Sequence, residues 1–119
     1  MNVTIIGTGY VGLTTGVALA FFGHDVTCVD KNPAIVESLS QGRLTIHEPG
    51  LEELLAAARE RLSFRTDIPE LRGRGVVLIA VGTPTKKNGD ADLQYVDAAA
   101  KEVAERIAPD AQLVVVNKS

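Results

Sequence analysis

Val3-Thr4-Ile5-Ile6-Gly7-Thr8-Gly9-Tyr10-Val11-Gly12-Leu13 is the stretch that decides the fold. Val3–Ile6 is a short apolar run that stops at Gly7, and from Val11 to Phe22 the apolar residues Leu13, Val17 and Phe21 recur at four-residue spacing. That change of period reads as strand, turn, helix. The joint is a G-x-G-x-x-G whose glycines have separable tasks. Gly7 permits the tight turn, Gly9 leaves no Cβ between the backbone and an approaching diphosphate, and Gly12 lets the helix close on the strand. Gly16 and Ala20 continue the spacing of Gly12, so one stripe of this helix is built for close contact with a sheet.

Outward from this unit the pattern repeats. Gly23-His24-Asp25 is turn chemistry, and Val26 to Val29 form a second strand ending at Asp30. Asn32 caps a second helix with Pro33 at its first position, Ile35, Val36 and Leu39 inside, and Gly42 as the stop. Another helix follows Pro49-Gly50, with Leu51, Leu54, Leu55 and Ala58 on one face. Leu62–Arg65 reads as a short third strand and Asp67–Leu71 as a capped helical turn or two. Val76–Val81 has no polar side chain and is expected to be a strand buried on both faces, stopped by Gly82-Thr83-Pro84-Thr85. After the polar loop Lys86–Asp90, Asp92 is expected to cap a helix whose inner stripe is Val96, Ala99, Val103 and Ile107; Leu113–Val116 is the last strand. Alternating strands and helices imply an α/β fold: a Rossmann-type, doubly wound parallel sheet of five strands in the order 3-2-1-4-5, with residues 1–119 as one domain.

The composition excludes several classes of function. Twelve Lys+Arg against fifteen Asp+Glu give a net charge of −3, which offers no field for nucleic acid or anionic lipid. No apolar run approaches the ~20 residues of a bilayer span and the N-terminus lacks a signal-peptide pattern, so a cytoplasmic protein is expected. Cys28, the single cysteine, sits in the apolar run Val26–Val29 and reads as a buried, inert thiol.

The chemistry expected at the turn is dinucleotide binding. The N–H groups of Tyr10 and Val11, at the positive end of the helix, would meet a pyrophosphate. Asp30 follows Gly12 by eighteen residues, where a carboxylate can accept from the hydroxyls of an adenosine ribose and repel a 2′-phosphate. NAD is therefore expected over NADP, although Lys31 beside it is a cation that would tolerate the phosphate. From spacing alone, Val81–Thr85 is a proline-containing turn at the carboxyl end of the fourth strand, and Glu48-Pro49-Gly50-Leu51 is a helix start with an acid near its positive end.

GTGYVG at Gly7–Gly12, Asp30, EPGL at Glu48–Leu51, VGTPT at Val81–Thr85 and ADLQYV at Ala91–Val96 together resemble the N-terminal region of the UDP-glucose/GDP-mannose dehydrogenase family, its bacterial UDP-glucose 6-dehydrogenases above all. The likeness runs the length of the chain. It implies NAD as cofactor, with Gly7, Gly9, Tyr10, Val11 and Gly12 at the pyrophosphate, Asp30 and Lys31 at the adenosine ribose, and Thr83 nearer the nicotinamide ribose. It also implies a nucleotide-sugar substrate and a homo-oligomeric parent enzyme. Such enzymes take UDP-glucose to UDP-glucuronate with two NAD, by way of a thiohemiacetal and a thioester on a cysteine, assisted by a lysine and an asparagine. These three lie downstream in the family, and Cys28 is not at the matching place. The family often has proline and an aromatic where Thr45 and His47 stand, which leaves His47 as a loop contact at most. Asn117-Lys118-Ser119 resembles the start of the family's segment after the fifth strand. The expectation is thus a piece of a larger dehydrogenase, ending before a sixth strand, inactive alone, with an unpaired apolar edge at Leu113–Val116. The neighbouring readings are a GDP-mannose or UDP-N-acetylhexosamine 6-dehydrogenase or, from another class, an NAD-sensing regulatory module of the same fold.

Overall fold

The computed structural model describes residues 1–118; Ser119, the last residue of the C-terminal motif, lies outside them. Five parallel strands stand in the order β3-β2-β1-β4-β5. They are β1 (Asn2–Ile6), β2 (Asp25–Val29), β3 (Leu62–Arg65), β4 (Arg74–Ile79) and β5 (Gln112–Asn117). The helices are α1 (Tyr10–Phe21), α2 (Pro33–Ser40), α3 (Leu51–Ala58) and α4 (Gln94–Arg106). β1 is central, in register with β2 (Ile5 with Cys28) and with β4 (Ile5 with Leu78).

The two faces of the sheet are buried by different partners. Val3, Ile5, Val26, Cys28 and Leu78 pack with Ala20 of α1 and Ala58 of α3. Leu13 and Val17, on the same side of α1, meet Leu39, Leu51 and Leu55, with Leu62 and Phe64 of β3 packed against them, so α2 and α3 lie beside α1 on this face. On the opposite face Ile6, Val29, Val77 and Ile79 pack against Ala99 and Val103 of α4 together with Ile68 and Leu71. Alternate residues of β1 and β4 thus serve opposite cores, which is why these strands carry almost no polar side chains.

Close approach of α1 is a matter of missing atoms. A Cβ on Gly12 would lie 1.9 Å from the carbonyl oxygen of Gly7, and one on Gly16 would meet Cys28 Sγ at 2.9 Å. Gly7 itself has φ +105°, and a Cβ there would stand 2.7 Å from the Ala80 carbonyl oxygen. Its N–H donates to the Val29 carbonyl at 2.8 Å, which pins the turn to the end of β2.

Four expectations need correction. Asp67–Leu71 is irregular rather than helical: five residues around Pro69 cannot nucleate a helix against the tertiary bonds available to them. Leu71 N–H donates to the Arg106 carbonyl at 2.8 Å, Ala108 N–H donates to the Leu71 carbonyl at 2.9 Å, and Ile68 and Leu71 are buried under α4. α4 begins at Gln94, with Asp92 outside it, although Asp92 Oδ1 accepts from the Gln94 N–H at 3.1 Å and so still satisfies one free donor. Ile107 follows the helix and is 41% exposed, because its backbone is extended to pair with Leu71. Strand β4 also lies earlier than the apolar run, ending at Ile79 while Ala80 and Val81 enter the following loop half-buried.

The outer edge is open. Val114, Val115 and Val116 of β5 are 61%, 47% and 39% exposed, and Val76, the register partner of Val114, is only half-buried. Accordingly the molecule has 7122 Å² of accessible surface, where a chain of its mass would ordinarily show about 6,200 Å².

Two outcomes follow from this packing. Gly12→Ala should destabilise the domain by about 3 kcal/mol or more, since backbone rather than a flexible side chain stands in the way, and urea unfolding measures it. Burial pushes the Cys28 thiol up from 9.0 to about 12. A group whose folded pKa is raised holds its full contribution below the unfolded pKa and loses it above, so stability should fall as pH rises from about 9 toward 12. Cys28→Ala should flatten that part of the stability–pH curve.

Candidate dinucleotide-binding cleft

The carboxyl ends of β1, β2 and β4 meet at the glycine-rich turn, which is the crevice position of an open parallel sheet. A cleft of about 360 Å³ opens there, lined by Gly7, Gly9, Asp30 and Lys31 on one wall and by Tyr95 and Glu102 of α4 on the other, with Ile68 and Val81 among its apolar lining. A wider groove of about 420 Å³ lies at the other end of the strands, around Asn2, Thr4, Thr27 and Ser63. It has neither a glycine-rich turn nor the start of a helix beside it, so the chemistry points to the first cleft.

The turn itself is prepared for an anion. α1 has no side chain capping its N-terminus, and its first intrahelical bond runs from Leu13 N–H to the Gly9 carbonyl at 2.9 Å. The N–H groups of Tyr10, Val11 and Gly12 therefore have no acceptor within the helix. Gly9 has φ −73°, which any residue tolerates, and the direction of its missing Cβ is empty for 4 Å. Gly7 and Gly12 are thus required by the fold, whereas Gly9 leaves space that the fold does not use. That open space lies beside the free donors and partial positive charge of the helix end, an arrangement suited to an anion.

Asp30 is fixed in place. Its Oδ2 accepts from the Thr8 hydroxyl at 2.5 Å and the Thr8 N–H at 3.2 Å; its Oδ1 accepts from the Asn32 N–H at 2.9 Å. The carboxylate therefore ties the glycine-rich turn to the start of α2. Lys31 reaches the cleft too, but its ammonium lies 3.4 Å from Glu102 Oε2 on the facing wall. Tyr10 is exposed, and the Glu48 carboxylate beside its hydroxyl holds the phenol above its ordinary range. This contact brings the EPGL segment to the start of α1.

The remaining residues singled out in the sequence are less concentrated. Val11 is half-buried on α1 and Gly12 is buried behind the turn. Thr83 is half-buried on the loop after β4 and does not line the cleft. That loop is held by the Asp92 N–H donating to the Pro84 carbonyl at 2.7 Å and by the bridge between Thr85 and Ala91. His47 is exposed. Tyr95, Ala98 and Glu102 were not foreseen; their i, i+3, i+7 spacing marks one helix face, but small and charged residues there look like an ordinary wet surface. Among the described residues no group of three potential metal ligands converges, and no helix is long and apolar enough to cross a membrane.

Taken together, the sheet order, the glycine-rich turn and the acid at the end of β2 define a Rossmann-type dinucleotide-binding domain. More specifically, the chain belongs to the UDP-glucose/GDP-mannose dehydrogenase family, whose NAD binding domain matches residues 1–119. A UDP-glucose 6-dehydrogenase of Rhizobium meliloti is 48% identical over 123 residues, covering 100% of this chain and 28% of that protein. The solved UDP-glucose dehydrogenase of Pyrobaculum islandicum is similar at 44% identity and TM-score 0.75, over 86% of this chain and 24% of its own. GDP-mannose dehydrogenase from Pseudomonas aeruginosa, solved as a ternary complex, superposes with TM-score 0.83 at 34% identity, over 100% of this chain and 29% of its own. The chain thus spans about a quarter of the length of these relatives.

The Thr8–Asp30 bond is open to direct test. Thr8→Val keeps the volume and removes the hydroxyl donor, which should cost about 1–2 kcal/mol in urea unfolding, while Thr8→Ser should stay close to the parent.

Proposed function

We propose that this domain holds NAD for a UDP-glucose 6-dehydrogenase, an enzyme oxidising UDP-glucose to UDP-glucuronate at the expense of two NAD. The observation that carries the reading is the juxtaposition of the open space at Gly9 with the anchored Asp30 carboxylate. In this reading Gly7, Gly9, Tyr10, Val11 and Gly12 surround the pyrophosphate, Asp30 accepts from the adenosine ribose beside Lys31, and Thr83 stands toward the nicotinamide end. Uridine rather than guanosine in the substrate is favoured by the 48% identity with the Rhizobium meliloti UDP-glucose 6-dehydrogenase, against 34% for the GDP-mannose dehydrogenase.

When bound, NAD supplies the hydride acceptor; the chain's own part is to bind and orient it. The helix end neutralises the diphosphate, Asp30 fixes the ribose, and the apolar lining contributed by Ile68 and Val81 excludes water from one side. The thiol that the sugar chemistry needs is not found among the described residues, because Cys28 is fully buried with its pKa pushed up to about 12. Residues 1–119 are accordingly proposed to bind NAD without turning over the sugar, within a soluble, homo-oligomeric parent enzyme.

Calorimetric titration tests the cofactor site. Gly9→Ala should leave urea stability within about 0.5 kcal/mol of the parent while NAD affinity falls about tenfold or more, the loss of contact with a charged phosphate. Unchanged affinity in Gly9→Ala would remove the turn from the site. Incubation of residues 1–119 with UDP-glucose and NAD should yield no sustained NADH; steady production would place the nucleophile within this chain.

A further inference from the structure

The cleft contains a charge arrangement that dinucleotide binding does not by itself require. Among the described residues lining it, Lys31 is the sole cation, and it is paired across the opening with Glu102 of α4 at 3.4 Å. The lysine side chain is 77% exposed and the glutamate 29%, so the better-ordered partner is the acid on the helix. Arg65, the β3 register partner of Val29, accepts from the Asp30 N–H through its carbonyl, while its side chain donates to Asp67 from Nε at 3.3 Å and Nη2 at 2.9 Å. Both positive side chains near the end of β2 are thereby drawn away from Asp30 by acids of their own.

We propose that Glu102 is a specificity-determining residue of the cofactor site, excluding a 2′-phosphorylated adenosine by holding Lys31 on the α4 wall. The proposal rests on the reading above, in which the adenosine ribose lies at Asp30. A 2′-phosphate arriving there meets a carboxylate that cannot swing away, because three donors from Thr8 and Asn32 hold it. Its natural counter-ion would be the ammonium one residue further on. With Glu102 in place that ammonium is already partnered, and the three cleft charges Asp30, Lys31 and Glu102 sum to −1. Neutralising Glu102 brings that sum to zero and leaves Lys31 free to turn toward the phosphate. The sequence position alone makes Lys31 look like a residue tolerant of NADP; the helix opposite reverses that tendency.

The test compares 5′-AMP with 2′,5′-ADP, and NAD with NADP, by calorimetric titration at low and at physiological salt. Glu102→Gln should tighten the 2′-phosphorylated ligands about threefold relative to their partners, the order expected for one exposed pair, with the gain shrinking as salt is raised. Glu102→Lys should tighten them further. Lys31→Ala in the Glu102→Gln background should return the ratio to that of Lys31→Ala alone, which shows that the glutamate acts through the lysine. Asp30→Ala separates the two levels of the argument. If Asp30→Ala alters neither ligand series, the placement of the ribose fails; if it alters both and Glu102→Gln leaves the ratio unchanged, the role of Glu102 fails while the site stands. Thermal melts of each variant confirm that folded protein is compared.

Discussion

Everything at the cleft depends on how closely α1 lies against β1. Gly12 leaves no room for a side chain between the helix and the Gly7 carbonyl, and Gly16 repeats the arrangement a turn later against Cys28. The consequence is geometric as much as energetic. A helix that lies this close brings its N-terminus to the carboxyl edge of the sheet, where β2 delivers Asp30 and α4 delivers Glu102. A larger residue at position 12 would lift the helix end away, and with it the donors and the field that make the edge receptive to an anion.

The sequence makes most of this legible because the same residues serve fold and site. Strands buried on both faces show up as short, mostly apolar runs, so β1, β2 and β4 are visible from local pattern, and Leu62–Arg65 coincides with β3. The glycine spacing reports close approach, which is a local constraint written in consecutive residues. Asp67–Leu71 is different. Its cap-like start suggests a helix, but its conformation is decided by backbone partners at Arg106 and Ala108, some thirty-five residues further on. The α4 wall escapes notice for a related reason: Tyr95 and Glu102 acquire meaning only once the crossover sets them opposite Lys31, and nothing in their own neighbourhood distinguishes them from a solvated face.

The uncovered edge belongs to the same logic. β5 is paired on one side only, and its valines have the β-branched, apolar character of a strand meant for burial. Cys28 fits as well. A thiol packed against Gly16 at the heart of the sheet contributes volume and apolar contact, and burial keeps it from serving as a nucleophile.

Asp30 shows what anchoring implies for binding. An ionised carboxylate offers about four acceptor positions. Two on Oδ2 are taken by Thr8 and one on Oδ1 by Asn32, which leaves Oδ1 with the free position. A ribose diol that engages both oxygens must therefore displace the Thr8 hydroxyl, while the backbone donors of Thr8 and Asn32 can stay where they are. That exchange replaces one charge-assisted bond by another and so is close to neutral in itself. In the proposed placement its effect would be to couple ribose binding to the turn, because the hydroxyl released from Asp30 sits on the residue between Gly7 and Gly9. Selectivity at the ribose and geometry at the diphosphate would then be linked through a single threonine.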